Sequence, residues 1–340
     1  MAQFSLVEMI SPILLAVPNV SEGRDAATIE AIARAFAADA GASGHGGDRH
    51  PAPDARPGRT PPEGVRLLDV HSDADHHRSV FTLGARPGAL ADALLGGAAV
   101  AVDRIDVMAR HPGDRTQTGE HPYVGALDVV PVVYLQVGAR GAACAEALVV
   151  ADRIGEELEV PVFLYGELTA SEGRPARTRA ELRRGGVEGL AQRLRGSENA
   201  PGALHPDFGP PRMHPSAGAT LVAAREPLVA FNLELEPPAS VGDARMIAGL
   251  IREGGGEGLP GVRAIGVALR GGVGQVSMNI ERPLEVPLAL VVEAVGRHRP
   301  VRAAELVGLA PRAALEGFPR DVPLRDFDPA RHVIENALGF

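Results

Sequence analysis

The residues able to do chemistry in this 340-residue chain fall into three short clusters. The densest is His71-Ser72-Asp73-Ala74-Asp75-His76-His77-Arg78, which follows an apolar run. His71, Asp73, Asp75, His76 and His77 are metal-ligand types, the donors a metal-dependent hydrolase would need. A short turn rarely aims five side chains at one ion, so a polar turn facing solvent or substrate is the simpler reading. The second cluster is Arg110-His111-Pro112 followed by Gly119-Glu120-His121-Pro122-Tyr123-Val124-Gly125. Pro122 restricts the backbone beside His121 and Gly125 permits a tight approach, which would fix the imidazole at the mouth of the next strand. Such a group suits general-base work near neutral pH, although a structural histidine at a turn has the same pattern. The third cluster, Asp207-Phe208-Gly209-Pro210-Pro211-Arg212-Met213-His214-Pro215-Ser216-Ala217-Gly218, suits a rigid loop against a flat ligand, and equally a linker.

Composition removes several classes of chemistry. All 34 basic side chains are arginine, so Schiff-base lysine chemistry and a Lys-terminated phosphate loop are excluded. Cys144 is the single cysteine, which excludes an intrachain disulfide and Cys-rich metal sites. A formal charge of −9 argues against nucleic acid as a partner. The apolar run Met9–Val17 lacks a basic leader, and no stretch reaches about 18 apolar residues, so the chain reads as cytoplasmic with no membrane partner. With 4% aromatic residues and no tryptophan, the core must be built of Ala, Val, Leu and Ile.

The elements that must position these clusters alternate along the chain. Apolar runs predict strands at Pro12–Val17, Val65–Val70, Ser79–Leu83, Leu127–Leu135 and Val162–Tyr165. Helical spacing marks Asp25–Ala38, Ala89–Val102 and Ala142–Glu157, with a further piece at Ala180–Arg195. Eleven of the 24 residues of Gly41–Gly64 are Gly or Pro, which reads as an inserted mobile loop. The second half repeats the order, with strands at Pro227–Leu235, Val262–Leu269, Gln275–Ile280 and Arg302–Val307. Its helices are expected at Val241–Arg252 and Val286–Arg297. Each half therefore spells β-α-β-β-α-β, the ferredoxin-like order. The expected fold is α+β: two such subdomains, 1–195 and 219–340, joined by 196–218 and facing each other across a ligand cleft.

Taken together, the motifs resemble the glutamate formimidoyltransferase family. Pro18-Asn19-Val20-Ser21-Glu22-Gly23 is similar to its opening motif, and Leu68-Asp69-Val70 with Arg78-Ser79-Val80-Phe81-Thr82 to its next strand pair. Gly119-Glu120-His121-Pro122 and Gly125-Ala126-Leu127-Asp128-Val129 resemble its catalytic-histidine segment. The likeness continues through Val160–Glu167, Asp207–Pro210, Gly218-Ala219-Thr220, Ala230-Phe231-Asn232-Leu233 and Gln275–Asn279, and ends near Leu309.

The resemblance implies transfer of a formimino group from N-formimino-L-glutamate to tetrahydrofolate, in histidine degradation, by a homodimer that needs no metal. It implies that His121 is the catalytic base and that Gly209, Pro210, Pro211, Arg212, Met213, His214, Pro215, Ser216, Ala217 and Gly218 contact the folate. Asn19, Ser21, Arg78, Arg183, Asn232 and Arg252 fall on its substrate-binding positions. Animal relatives carry a further cyclodeaminase domain, and a chain ending at Phe340 is expected to be the stand-alone form. Two departures concern the donor: the family's His-Pro-Arg reads His121-Pro122-Tyr123, and the stretch from His111 to Gly119 is longer. A folate-dependent transferase with another one-carbon donor, or a non-catalytic folate-binding homologue, are the alternative readings.

Overall fold

The computed structural model describes residues 12–38, 64–111, 114, 117, 119, 122–173, 175–196, 202–269 and 271–339. All of the expected loop except Gly64 lies outside the described residues, and so does His121. The chain is α+β and contains two sheets.

In the first sheet, β1 (Leu14–Ala16) and β2 (Asn19–Val20) act as one strand interrupted at Val17-Pro18. Pairing carries across the interruption, because Val17 N donates to Pro131 O and Phe81 N donates to Pro18 O, both at 3.0 Å. Helix α1 (Ala26–Ala37) starts where the Asp25 carboxylate accepts the Ala27 N–H. The hairpin β3 (Arg66–Asp73) and β4 (Arg78–Ala85), helix α2 (Leu90–Arg104) and β5 (Leu127–Tyr134) follow. Helix α2 has no side-chain cap of its own; Glu146, buried on α3 (Arg140–Glu157), accepts the Ala91 N–H at 2.8 Å instead. Strands β6 (Val162–Leu164) and β7 (Thr220–Arg225) complete the sheet in the order β3-β4-β1/β2-β5-β7-β6.

Strand β7 corrects the expected boundary at 218. It lies parallel to both β5 and β6, so the first sheet extends to Arg225. The missed strand is short and apolar, and its pairing partners are remote in sequence. The piece expected at Ala180–Arg195 is also two helices, α4 (Arg179–Leu182) and α5 (Gly186–Arg195). Gly185 and Gly186, at φ +77° and +60°, break the run.

The second sheet contains β8 (Val229–Leu235), β9 (Val262–Ala268), β10 (Gly274–Ile280), β11 (Val301–Val307) and β12 (Leu324–Arg325), in the order β12-β11-β8-β10-β9. Helices α6 (Val241–Ile251) and α7 (Leu288–Gly296) cover one face. Strand alternation sends Phe231, Leu233, Val276, Met278 and Ile280 into that covered core. Asn232, Gln275 and Ser277 therefore face the other way, toward the first sheet. On the first sheet, Phe81 and Leu83 pack under the helices with Phe36 and Ile32, whereas Arg78 and Val80 face the second sheet.

The seam between the halves is apolar at one place. Leu15 and Val133 of the first sheet meet Leu309 and two residues, Ile334 and Leu338, of the short helix α9 (Ile334–Leu338). Arg66 Nη2 fixes this helix by donating to Ala337 O at 2.8 Å. The preceding helix α8 (Pro329–His332) brings Arg331 to within 3.5 Å of the buried Asp69 carboxylate. Among the described residues, no helix is long and apolar enough to cross a membrane.

Candidate functional site

Elsewhere along the seam the two sheets part to leave a cleft. Asn19, His71, Asp73, His76, Arg78 and Val80 line it from the first sheet, with Arg179 and Arg183 beside them. Ala230, Asn232, Ser277, Asn279 and Val307 form the opposite wall.

The cleft's charge is organised around Asp128, which is fully buried in β5. Its Oδ1 accepts the Val124 N–H at 2.9 Å. Its Oδ2 accepts from Arg78 Nη2 at 3.2 Å and from Arg183 Nη2. A carboxylate with no access to water is tolerable only when paired in this way. Arg179 lies four residues before Arg183, one helical turn away. A capping box between Thr178 and Glu181 fixes the start of α4, and Arg193 Nη2 donates to Leu182 O at 2.6 Å at its end. Burial and the neighbouring Arg183 pull the Arg78 guanidinium down to about 9, against the attraction of Asp128. Burial and Arg183 likewise lower Arg179 to about 10, so both remain cations at neutral pH.

The histidine-rich turn divides between two environments. His71 Nε2 lies 3.6 Å from Glu305 Oε1 across the seam, and Asn232 Nδ2 donates to Glu305 Oε2 at 2.9 Å. His76 Nε2 lies 3.2 Å from Gln275 Oε1, a second link between the sheets. Asp73 Oδ1 closes the turn by accepting the N–H groups of Asp75 and His76 at 2.7 and 2.9 Å. Among the described residues, no group of three His, Cys, Asp or Glu side chains is disposed to hold a metal ion.

His77 points away from the cleft. Its Nδ1 accepts the Gly23 N–H at 3.2 Å and lies 3.4 Å from Glu22. Burial and the nearby Arg110 push its imidazole down to about 4, although Glu22 opposes them. His77 is therefore neutral in the native protein at pH 7. Below its ordinary value of 6.5 the unfolded chain takes up a proton that the native state does not, so stability falls as pH drops toward 4. The expected loss between pH 7 and pH 5 is on the order of 2 kcal/mol. Urea denaturation at the two pH values, with His77→Gln as the flattened control, measures it.

The remaining expected site residues separate clearly. Asn19, Arg78, Arg183 and Asn232 line the cleft. Ser21 does not; it is buried, and its hydroxyl donates to Gly125 O at 2.7 Å, locking the first motif to the approach of β5. Arg252 is exposed just past α6, on the helix-covered side of the second sheet, which corrects its expected place in the site. Its position at a helix end explains the sequence pattern equally well.

The loop Gly209–Gly218 also lies off the cleft lining. Gly209 takes φ +79° against Gly155 of α3, and Arg212 pairs at the surface with Glu159 at 3.4 Å. Its far end braces the chain that leads into β5: Ala126 N donates to Ala217 O at 2.8 Å and Ala219 N to Val124 O at 3.0 Å. At Gly125 a Cβ would run into the Ala219 carbonyl oxygen, so the approach there is backbone against backbone.

His121 itself lies outside the described residues, but Gly119 before it and Pro122 after it are placed. A Cβ on Gly119 would strike the His76 carbonyl, so the chain passes directly against the histidine turn. Pro122 O accepts from Arg78 Nη2 at 3.3 Å. The Tyr123 ring lies under the Arg110 guanidinium, 5.5 Å from its centroid, and burial raises its phenol. Arg110 thus supplies a cation next to Tyr123, while its Nη2 donates to Ser21 O at 2.7 Å.

Sequence reasoning missed Asp128 as the centre of the cluster, along with Arg179 and Glu305. Asp128 carried a usable signal, a lone carboxylate in the otherwise apolar strand Leu127–Tyr134. Arg179 carried none, since arginine is frequent throughout 172–218.

The family model for the formiminotransferase domain, N-terminal subdomain, matches residues 13–225, ending at the last residue of β7. A glutamate formimidoyltransferase of Streptococcus pyogenes serotype M1 is 36% identical over 283 residues, covering 81% of this chain and 89% of that protein. One from Thermoplasma acidophilum is 30% identical over 306 residues, covering 88% of each. The formimidoyltransferase-cyclodeaminase of Gallus gallus is 36% identical over 310 residues, and this chain spans 50% of its length. The family model spans well over half of the chain, and the bacterial and archaeal relatives are each at least 30% identical over most of their length: the chain belongs to the formiminotransferase family.

Proposed function

We propose that this protein transfers the formimino group of N-formimino-L-glutamate to tetrahydrofolate, giving 5-formiminotetrahydrofolate and L-glutamate, within histidine degradation. The observation that carries this reading is the arginine cluster around Asp128, in a cleft whose edge holds both flanks of His121. Both substrates bear carboxylates, and guanidinium groups pair with them through charge-assisted hydrogen bonds. The amide and hydroxyl groups of Asn232, Asn279 and Ser277 offer a neutral wall for the donor's amidine and the folate ring.

In the proposed reaction the secondary amine of tetrahydrofolate attacks the amidine carbon, forming the new C–N bond. His121 takes the proton that this nitrogen sheds. The tetrahedral intermediate then breaks its bond to the glutamate nitrogen, which receives the proton back from His121. Holding the two substrates in one cleft removes much of the entropic barrier to their meeting. The cation of Arg78, bonded to Pro122 O, anchors the residue that follows the base. The Gly209–Gly218 loop is proposed to contact the folate, and its far end also braces the chain between Pro122 and β5.

The halves are read as two ferredoxin-like subdomains meeting at Arg225. Numbered from β8, the main strands of the second sheet run 4-1-3-2, and the first sheet reproduces that order in β3-β4-β1/β2-β5 before β7 and β6 extend it. The protein is proposed to work in the cytoplasm as a homodimer. Incubation of the purified protein with formiminoglutamate and tetrahydrofolate should yield spectrophotometric turnover to 5-formiminotetrahydrofolate. Folate binding with no turnover would favour the non-catalytic homologue, and turnover only with another one-carbon donor would favour the related transferase.

A further inference from the structure

We infer that Arg179 determines specificity in the cleft by receiving one of the two carboxylates of a dicarboxylate ligand, here the glutamate moiety of the donor. The identity of that ligand rests on the proposed function; the assignment of the residue rests on the geometry.

Three guanidinium groups, those of Arg78, Arg179 and Arg183, line one wall of the cleft. The acids near them are already engaged. Asp128 gives its Oδ2 to Arg78 and Arg183 and its Oδ1 to the Val124 N–H. Asp73 holds its own turn through the N–H groups of Asp75 and His76. On the opposite wall, Glu305 lies between Asn232 and His71. Arg179 is therefore left with no carboxylate partner among the described residues.

Two further features make this a receiving site. Arg183 Nε is buried with no hydrogen-bond partner among the described residues, so the neighbouring guanidinium presents a second unused donor. Burial and the charges of Arg183 and Arg225 disfavour the Arg179 cation, a cost that a bound anion would relieve. Side chains four residues apart on a capped turn share a face, so one carboxylate group can meet both Arg179 and Arg183. The second carboxylate of the same ligand must then find its partner elsewhere along the cleft.

The test compares L-glutamate with its two monoamides, glutamine and isoglutamine, by calorimetry on the intact protein, alongside steady-state kinetics. In Arg179→Met, glutamate should bind about 10- to 100-fold more weakly. The variant should lose its preference for glutamate over one monoamide and keep it over the other, which identifies the carboxylate concerned. KM for formiminoglutamate should rise by a similar factor, with kcat and the KM for tetrahydrofolate within about threefold of the parent. Arg179→Lys should recover part of the preference. Retention of both preferences in Arg179→Met, equal weakening toward all three ligands, or no glutamate binding by the parent would overturn the assignment. Failure of the parent to transfer formimino groups while the binding preferences shift as described would overturn the proposed reaction alone.

Discussion

Replacing Asp128 with alanine is expected to cost about 3–5 kcal/mol of stability, the range for removing one partner of a buried charge pair. The carboxylate is fully buried and serves two guanidinium groups and a backbone N–H. Without it, Arg183, which is 8% exposed, becomes a buried cation beside a second one, and the Val124 N–H loses its acceptor. Asp128→Asn keeps an acceptor for Val124 but removes the charge, so its loss should be smaller while the two arginines still repel. Urea denaturation at pH 7 checks the order Ala, Asn, parent. A loss below about 1 kcal/mol in Asp128→Ala would show that solvent reaches the arginines and that the carboxylate does not organise the cleft. Activity should fall with both variants, because Arg78 would no longer be held where it meets Pro122 O.

The second large effect concerns His121. His121→Ala is expected to lower kcat by two or more orders of magnitude, the scale of a general acid–base catalyst. The KM for formiminoglutamate should stay within a few-fold, since the arginine cluster is untouched. Added imidazole should restore part of the lost rate to His121→Ala and none to the parent. Normal kcat in the variant would remove His121 from the mechanism. A parallel rise in KM for both substrates with kcat unchanged would make it a binding residue instead.

Much of this arrangement was legible in the sequence because its periodicities are local. Alternation in Val229–Leu235 and in Gly274–Ile280 announces strands with one apolar face, and both are found at nearly the expected limits. Strand β7 was not legible: Thr220–Arg225 follows a Gly/Pro-rich loop, and nothing local says that it slots between β5 and β6. The same distinction applies to the site. Arg78 and Asn232 sit in motifs that resemble a family, and both line the cleft. Ser21 sits in such a motif and Arg252 falls on a family position, yet one braces the backbone and the other follows a helix end. Motif resemblance cannot distinguish a side chain that touches ligand from one that holds the loop in place. Arg179 illustrates the converse, since its importance depends on what Asp128 has already used, a fact of three-dimensional pairing alone.

The apolar contact at the seam also dictates an order of events during synthesis. Leu15 and Val133 are covered by Ile334 and Leu338, which leave the ribosome after both sheets have been made. Each sheet can acquire its helices as the chain emerges, because those partners are near in sequence. When α9 docks and Arg66 grips its last carbonyl groups, they join the His71–Glu305 and His76–Gln275 links in spacing the two cleft walls. A five-residue helix that contributes no residue to the cleft lining thus helps hold the two walls together, and it is made after both of them.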